Sequence, residues 1–134
     1  MDLKTAVSVS ASGLRAQALR MRLIAENLAN SDSIARTPGG DPYRRRVASF
    51  AAEVERSSRS GVRVEAIDSD QAPFEKAYRP GSPAADARGY VKLPNVNSLV
   101  ETADMKAAQR AYEANLGAIE AARTLTMRTI DLLK

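Results

Sequence analysis

Apolar side chains recur every seven residues at both ends of the chain and lose that beat in the middle. From Leu3 to Leu28 there is no proline, and Val7, Leu14, Met21 and Leu28 mark one stripe, widened by Ala11, Ala18 and Ala25. This spacing predicts a single helix of about 26 residues, roughly 40 Å long, with a coiled-coil-like face. Asn30-Ser31-Asp32 stops it. The C-terminal third repeats the beat at Met105, Tyr112, Ile119, Thr126 and Leu133, flanked by Ala108, Leu116, Ala122 and Ile130. Ser98-Leu99-Val100-Glu101 matches a capping box, so a second helix is expected from Ser98 to Leu133, about 54 Å long.

Between the helices the pattern changes. Thr37-Pro38-Gly39-Gly40-Asp41-Pro42 is a dense turn signal, followed by Tyr43-Arg44-Arg45-Arg46, a short Ala-Ser-Phe-Ala-Ala stretch and the polar Arg56-Ser57-Ser58-Arg59-Ser60-Gly61. Val62 to Asp68 alternates, and Phe74 to Tyr78 alternates again, which predicts two short strands forming a hairpin. Pro80, Pro83 and Gly89 to Asn95 read as extended chain returning to the second helix. The expected fold is mainly α with a small β-rich insertion: two long terminal helices pairing as an antiparallel coiled coil, with an extended loop and a short β-hairpin between them. The chain is read as one domain, residues 1–134, made of a helix over 1–30, the insertion over 31–97 and a helix over 98–134.

One partner helix covers one stripe only. Leu125, Met127, Ile130, Leu132 and Leu133 point in several directions around the last turns, and Leu3, Val7 and Val9 repeat the difficulty at the other end. Burial against other chains is therefore expected, with Val7, Leu14, Met21, Leu28, Met105, Tyr112, Ile119, Ile130 and Leu133 in the core of an assembly. Composition supports this: 24 of the residues are alanine, which favours helix while burying little, and only 4% are aromatic. Gly13 and Gly117 lie off the main seam, each either a tolerated surface glycine or a point of close approach by a neighbouring backbone.

Charge and chemistry narrow the function. The net charge of +4 arises wholly within the first 61 residues, since the rest carries ten basic and ten acidic groups. Without cysteine, histidine or tryptophan the chain has no thiolate or imidazole ligand and no serine–histidine dyad. Asp68 and Asp70 lack the glycine and glutamate of a calcium loop and read as a turn. No catalytic, cofactor-binding or metal-binding residue is assigned. Tyr43, Arg44, Arg45 and Arg46 are read as donors on a folded loop that meets an acidic neighbour, so that reversing the three arginine charges should spare the chain's own fold.

Ala25-Glu26-Asn27-Leu28-Ala29-Asn30 resembles the signature closing the first helix of bacterial flagellar rod, hook and hook-associated axial proteins. Arg36 to Arg45, Tyr78 to Pro83, Gly89 to Asn97 and Arg110-Ala111-Tyr112-Glu113-Ala114-Asn115 resemble the proximal rod subunits of that family in order and spacing, across essentially the whole chain. Ser31 to Ala35 and Lys106 depart from the family pattern. The resemblance implies a structural, non-enzymatic subunit of the periplasmic drive shaft that carries motor torque to the hook, with Asn27, Asn30 and Asn115 among its interface residues. It implies as partners other copies of the chain, proximal rod proteins B and F, distal rod protein G, hook-basal body protein E and the flagellar type III export apparatus, with no nucleic acid and no membrane insertion. Export without a cleaved signal peptide is expected, since Met1-Asp2-Leu3-Lys4 leads straight into a polar-interrupted helix. The competing reading is a stand-alone basic helical adaptor or nucleic-acid-binding module, which steep loss of binding with salt would reveal.

Overall fold

The computed structural model describes residues 2–54 and 60–134. Helix α1 spans Leu3–Ala29, strands β1 and β2 span Arg46–Val54 and Ser60–Ser69, β3 and β4 span Lys76–Tyr78 and Tyr90–Lys92, and helix α2 spans Ser98–Leu132. The two terminal helices and the small β insertion match the expected fold, and the helix bounds fall within one residue of those read from the sequence.

Each helix start follows from a side chain that accepts free amides. At α1 the Thr5 N–H donates to Asp2 Oδ1 at 2.6 Å. At α2 the cap is Asn97, whose Oδ1 accepts from the Leu99 and Val100 amides at 3.0 and 3.3 Å. The expected capping box on Ser98 is thus displaced by one residue. Asparagine caps at least as well as serine, and Glu101 is buried and bonded elsewhere, so it is not free to close the box.

The strands pair differently from the expected hairpin. β2 pairs with β1, and β3 pairs with β4, antiparallel, with Ala77 opposite Val91 and Tyr78 opposite Tyr90. β1 escaped notice because it is rich in alanine, a poor strand former whose small side chains make no visible alternation. The chain after β2 does not fold back on it, because Arg44 and Asn95 hold the carbonyls of Asp70 and Ala72. Most of the polar Arg56 to Gly61 stretch lies outside the described residues.

The chain divides into two compact units. The first gathers the chain up to Met21, Ala48–Ala66 and Lys106–Lys134; the second gathers Arg22–Val47 and Ile67–Met105. In the first unit α1 buries Ser12, Gly13 and Ala16, while α2 buries Ala108 and Ala122. A Cβ on Gly13 would lie 2.7 Å from the Asn115 side chain, so the glycine is a point of close approach, although by a side chain. β2 adds the Val62 N–H, which donates to Ser12 Oγ at 3.0 Å. In the second unit the core holds Leu23, Ile24, Ala84 and Val91 with two polar members, Asn27 and Glu101. Within the first unit Gly13 of α1 meets Asn115 of α2, and within the second Asn27 of α1 meets Glu101 of α2.

In the first unit the buried side chains are small or polar, whereas the second unit also buries Leu23, Ile24 and Val91. Leu14, Met21, Leu28, Met105, Tyr112 and Ile119 are only half-buried, and Ala18 and Ala25, expected to widen the α1 stripe, are exposed. Small residues let two helices approach closely, which turns the larger apolar side chains to the flanks.

Candidate functional site

The densest chemistry lies in the second unit, where the end of α1, the entry to β1, the exit of β2 and the first turns of α2 meet. Asn27 is at its centre and is 1% exposed. Its Oδ1 accepts from the Tyr43 hydroxyl at 2.8 Å and from the Arg46 N–H at 2.9 Å. Its Nδ2 donates to the Arg46 carbonyl at 2.9 Å and to Glu101 Oε2 at 3.2 Å. An amide side chain offers two donors and two lone pairs, and here every one is used. Aspartate would lose both donors and add a buried charge beside Glu101.

Arg45 joins three carboxylates. Its Nε donates to Glu101 Oε1, its Nη1 reaches Asp70 Oδ2 at 3.3 Å and its Nη2 lies 3.5 Å from Asp104 Oδ2. Burial works against the guanidinium charge, but the bonds to Glu101 and Asp70 outweigh it and raise the pKa above its ordinary value. The Arg45 backbone is fixed as well, its N–H donating to Asn95 Oδ1 at 2.7 Å and its carbonyl accepting from Asp70 at 2.8 Å. Arg46 pairs with Glu26 at 2.9 Å. Arg44 donates to the Asp70 carbonyl at 3.0 Å and lies over the Phe74 ring, 4.2 Å from its centroid. Burial and the nearby Glu26 raise the Tyr43 phenol pKa, so its proton stays in the bond to Asn27.

The expectation that reversing Arg44, Arg45 and Arg46 would spare the fold is overturned. Glutamate at position 45 would face Glu101, Asp70 and Asp104, and at position 46 it would face Glu26. Adjacent residues of an extended segment point to alternate sides, which is why one run of three arginines finds three separate sets of partners. Of the other residues singled out, Asn30 closes α1 by donating to the Glu26 carbonyl at 2.9 Å, and Asn115 donates to the Ala111 carbonyl of its own helix at 3.0 Å. Asp70 makes the expected turn, accepting the Ala72 N–H at 2.9 Å, and also holds Arg45. The sequence reading missed Glu101, Asn95 and Asp104 as partners of the arginines, because each lies 50 or more residues away.

Chemically this cluster is closed. Glu101 is fully buried with both oxygens engaged, and no group of three or more metal-capable side chains occurs among the described residues. The cluster locks the chain and leaves no reacting atom for a substrate. What the chain leaves open is apolar: Leu125, Met127 and Ile130 are about half exposed, while Leu132 and Leu133 are 87% and 82% exposed.

Such a chain, with its polar centre satisfied internally and its helix ends uncovered, has the build of an assembly subunit. Residues 87–132 match the family model of the flagellar basal body rod FlgEFG protein C-terminal region. Over 98% of its length the chain is 47% identical to flagellar basal-body rod protein FlgC of Agrobacterium fabrum, covering 96% of that protein. It is 40% identical to the FlgC of Aquifex aeolicus, covering all of this chain and 99% of that one, and 36% identical to that of Salmonella typhimurium, covering 98% of each. The chain belongs to the FlgC family of flagellar basal-body rod proteins.

Proposed function

We propose that the chain is a structural subunit of the flagellar basal-body rod, not an enzyme, and that it acts as one rod-subunit domain in the proximal, periplasmic part of the drive shaft. The observation that carries this reading is the apolar surface left open on the helices: Leu125, Met127, Ile130, Leu132 and Leu133 are exposed at the end of α2, and the heptad positions Leu14, Met21, Leu28, Met105, Tyr112 and Ile119 are only half-buried. Val7, Leu14, Met21, Leu28, Met105, Tyr112, Ile119, Ile130 and Leu133 then form seams with neighbouring helices, and the summed stiffness of those seams transmits torque to the hook. Asn27, Asn30, Tyr43, Arg44, Arg45, Arg46 and Asn115 support those seams indirectly by fixing the end of α1, the β1 entry and the middle of α2. Neighbours are other copies of the chain, rod proteins B, F and G and hook-basal body protein E, reached through the flagellar type III export apparatus without a cleaved signal. No helix is long and apolar enough to cross a membrane. The alternative of a nucleic-acid module rested on the basic first 61 residues, and Arg44, Arg45 and Arg46 among them are engaged within the chain.

The test uses the two most exposed apolar positions. Leu132→Asp combined with Leu133→Asp should leave the unfolding midpoint of the purified chain unchanged, since both side chains are more than four-fifths exposed. In cells lacking the native gene the double variant should fail to enter basal bodies and should not support swimming. Normal rods built from this variant would overturn the reading.

A further inference from the structure

β3 and β4 form a small antiparallel sheet whose two faces differ. Ala77 and Val91 are opposite each other, and Val91 is fully buried, so this face turns inward. Alternation places Lys76, Tyr78, Tyr90 and Lys92 on the other face. There Tyr78 and Tyr90 are 65% and 43% exposed, with ring centroids 5.4 Å apart in an edge-to-face arrangement. Gly89 makes this pair possible: its φ is +84°, and a Cβ would lie 2.8 Å from the Tyr78 ring. A fixed, exposed aromatic pair costs little conformational entropy on binding, which is the economy of an interface anchor.

The charges around the tyrosines are unevenly used. Lys92 is paired with Asp41 at 3.0 Å, whereas Lys76 and Arg88 make no direct ion pair among the described residues, although both lie near enough to the Asp86 carboxylate to favour its charge. The acids nearby are Glu75, which alternation turns to the opposite face, and Asp86. The Asp86 carboxylate accepts the Arg88 and Tyr90 amides at 2.8 and 3.0 Å. On the ladder the lysine pair Lys76 and Lys92 is followed by the tyrosine pair, and Arg88 sits in the turn just before β4.

α2 carries the complement. Glu113, Leu116 and Glu120 share one face, about 130° around the helix from the buried positions Ala108 and Ala122, and span about 10 Å. All three are exposed, Leu116 by 41%, and neither glutamate has an ion pair among the described residues. Met127 continues the ridge, Arg123 flanks it, and Asp131 is engaged by Lys134 at 3.6 Å. The order is acid, leucine, acid.

We propose that the outward face of β3 and β4 on one copy docks on the Glu113–Leu116–Glu120 ridge of α2 on a second copy, Leu116 packing on the tyrosine pair while Lys76 and Arg88 meet the two glutamates. This rests on the rod-subunit reading and names a contact by which copies add to one another. Each copy offers one of each surface, so used head to tail the contact is heterologous and propagates around a ring or along a helix.

The chain has no cysteine, so introduced ones report alone. Tyr78→Cys is carried by one copy and Leu116→Cys by another with a different tag, both produced in cells lacking the native gene, and isolated basal bodies are oxidised mildly. A disulfide-linked species bearing both tags is expected, absent when either variant is present alone. In otherwise native copies, Lys76→Glu with Arg88→Glu should lower incorporation about tenfold, as for two reversed rim pairs, and Glu113→Lys with Glu120→Lys supplied on a co-produced copy should restore it. Incorporated variants that never cross-link to one another, cross-linking only to a different protein, or a charge reversal without effect or without rescue would each overturn the proposal. If the cysteine variants do not incorporate, the charge reversal and its rescue decide alone. Absence of even the parent chain from basal bodies would instead overturn the rod-subunit reading.

Discussion

The arginine cluster around Asn27 and the last turns of α2 solve opposite problems. In the cluster, polar atoms are withdrawn from water and each finds a partner within the chain, so that Asn27 and Glu101 are buried without being orphaned. At the end of α2 apolar atoms are left in water, and Leu132 and Leu133 have most of their surface exposed. A buried polar network in low dielectric is costly when incomplete, so the first region is built to hold one geometry. An uncovered apolar end makes no such demand on the free chain and gains its stabilisation only on contact with a neighbour. The difference assigns rigidity to one region and association to the other.

The contrast between the two regions is greatest at Glu101. Glu101→Ala would leave Arg45 among acids of looser geometry and remove the partner of one Asn27 donor. It should destabilise the free chain by about 3 kcal/mol, somewhat less than for a fully buried pair because Arg45 retains some solvent contact. Urea unfolding measures this, and a loss below about 1 kcal/mol would mean the cluster is not what holds the second unit. Truncating Leu132 and Leu133 to alanine should move the same midpoint by less than about 0.5 kcal/mol.

A smaller effect separates Asn97 from Ser98. Asn97→Ala should cost about 1 kcal/mol as the α2 cap is lost, whereas Ser98→Ala should be close to neutral. Equal losses from the two would restore the serine capping box.

The two helical glycines give a weaker contrast. Gly117 has open space around the position of a Cβ, so Gly117→Ala should stabilise α2 by up to about 1 kcal/mol in the free chain. Gly13→Ala must displace the Asn115 side chain and should gain less. Thermal unfolding of the two variants ranks them.

The smallest effect is on acidification. Bonds from the Thr5 amide and hydroxyl group hold the Asp2 pKa below the ordinary 3.8. A carboxyl with a depressed folded pKa contributes its stabilisation above the ordinary value and loses it as pH falls through the folded one. Protection of the Thr5 amide from exchange should therefore fade as the pH drops below about 3.8, and this fading should disappear in Asp2→Asn.

Legibility differed between the same two regions. The uncovered ends could be read directly, because a helix has one partner stripe and Leu125, Met127, Ile130, Leu132 and Leu133 point around more than one. The arginine run could not be read, since whether a guanidinium meets solvent, a neighbour or its own chain depends on residues 20 to 59 positions away. β1 was hidden for a local reason, its alanines, and the β3–β4 pairing for a distant one, the pinning of the intervening chain by Arg44 and Asn95.

Periodicity and composition, which act between near neighbours along the chain, are enough to specify the two helices, their bounds, the surplus of apolar surface at their ends and the absence of the residue types that most enzymes need. Which helix face is kept for the partner helix, which residue caps α2, and the engagement of the three arginines in a closed polar cluster emerge only in the folded chain. Those outcomes depend on close approach between distant segments, where small side chains admit a neighbour and buried polar atoms must find complementary ones, and periodicity along one helix carries no information about either.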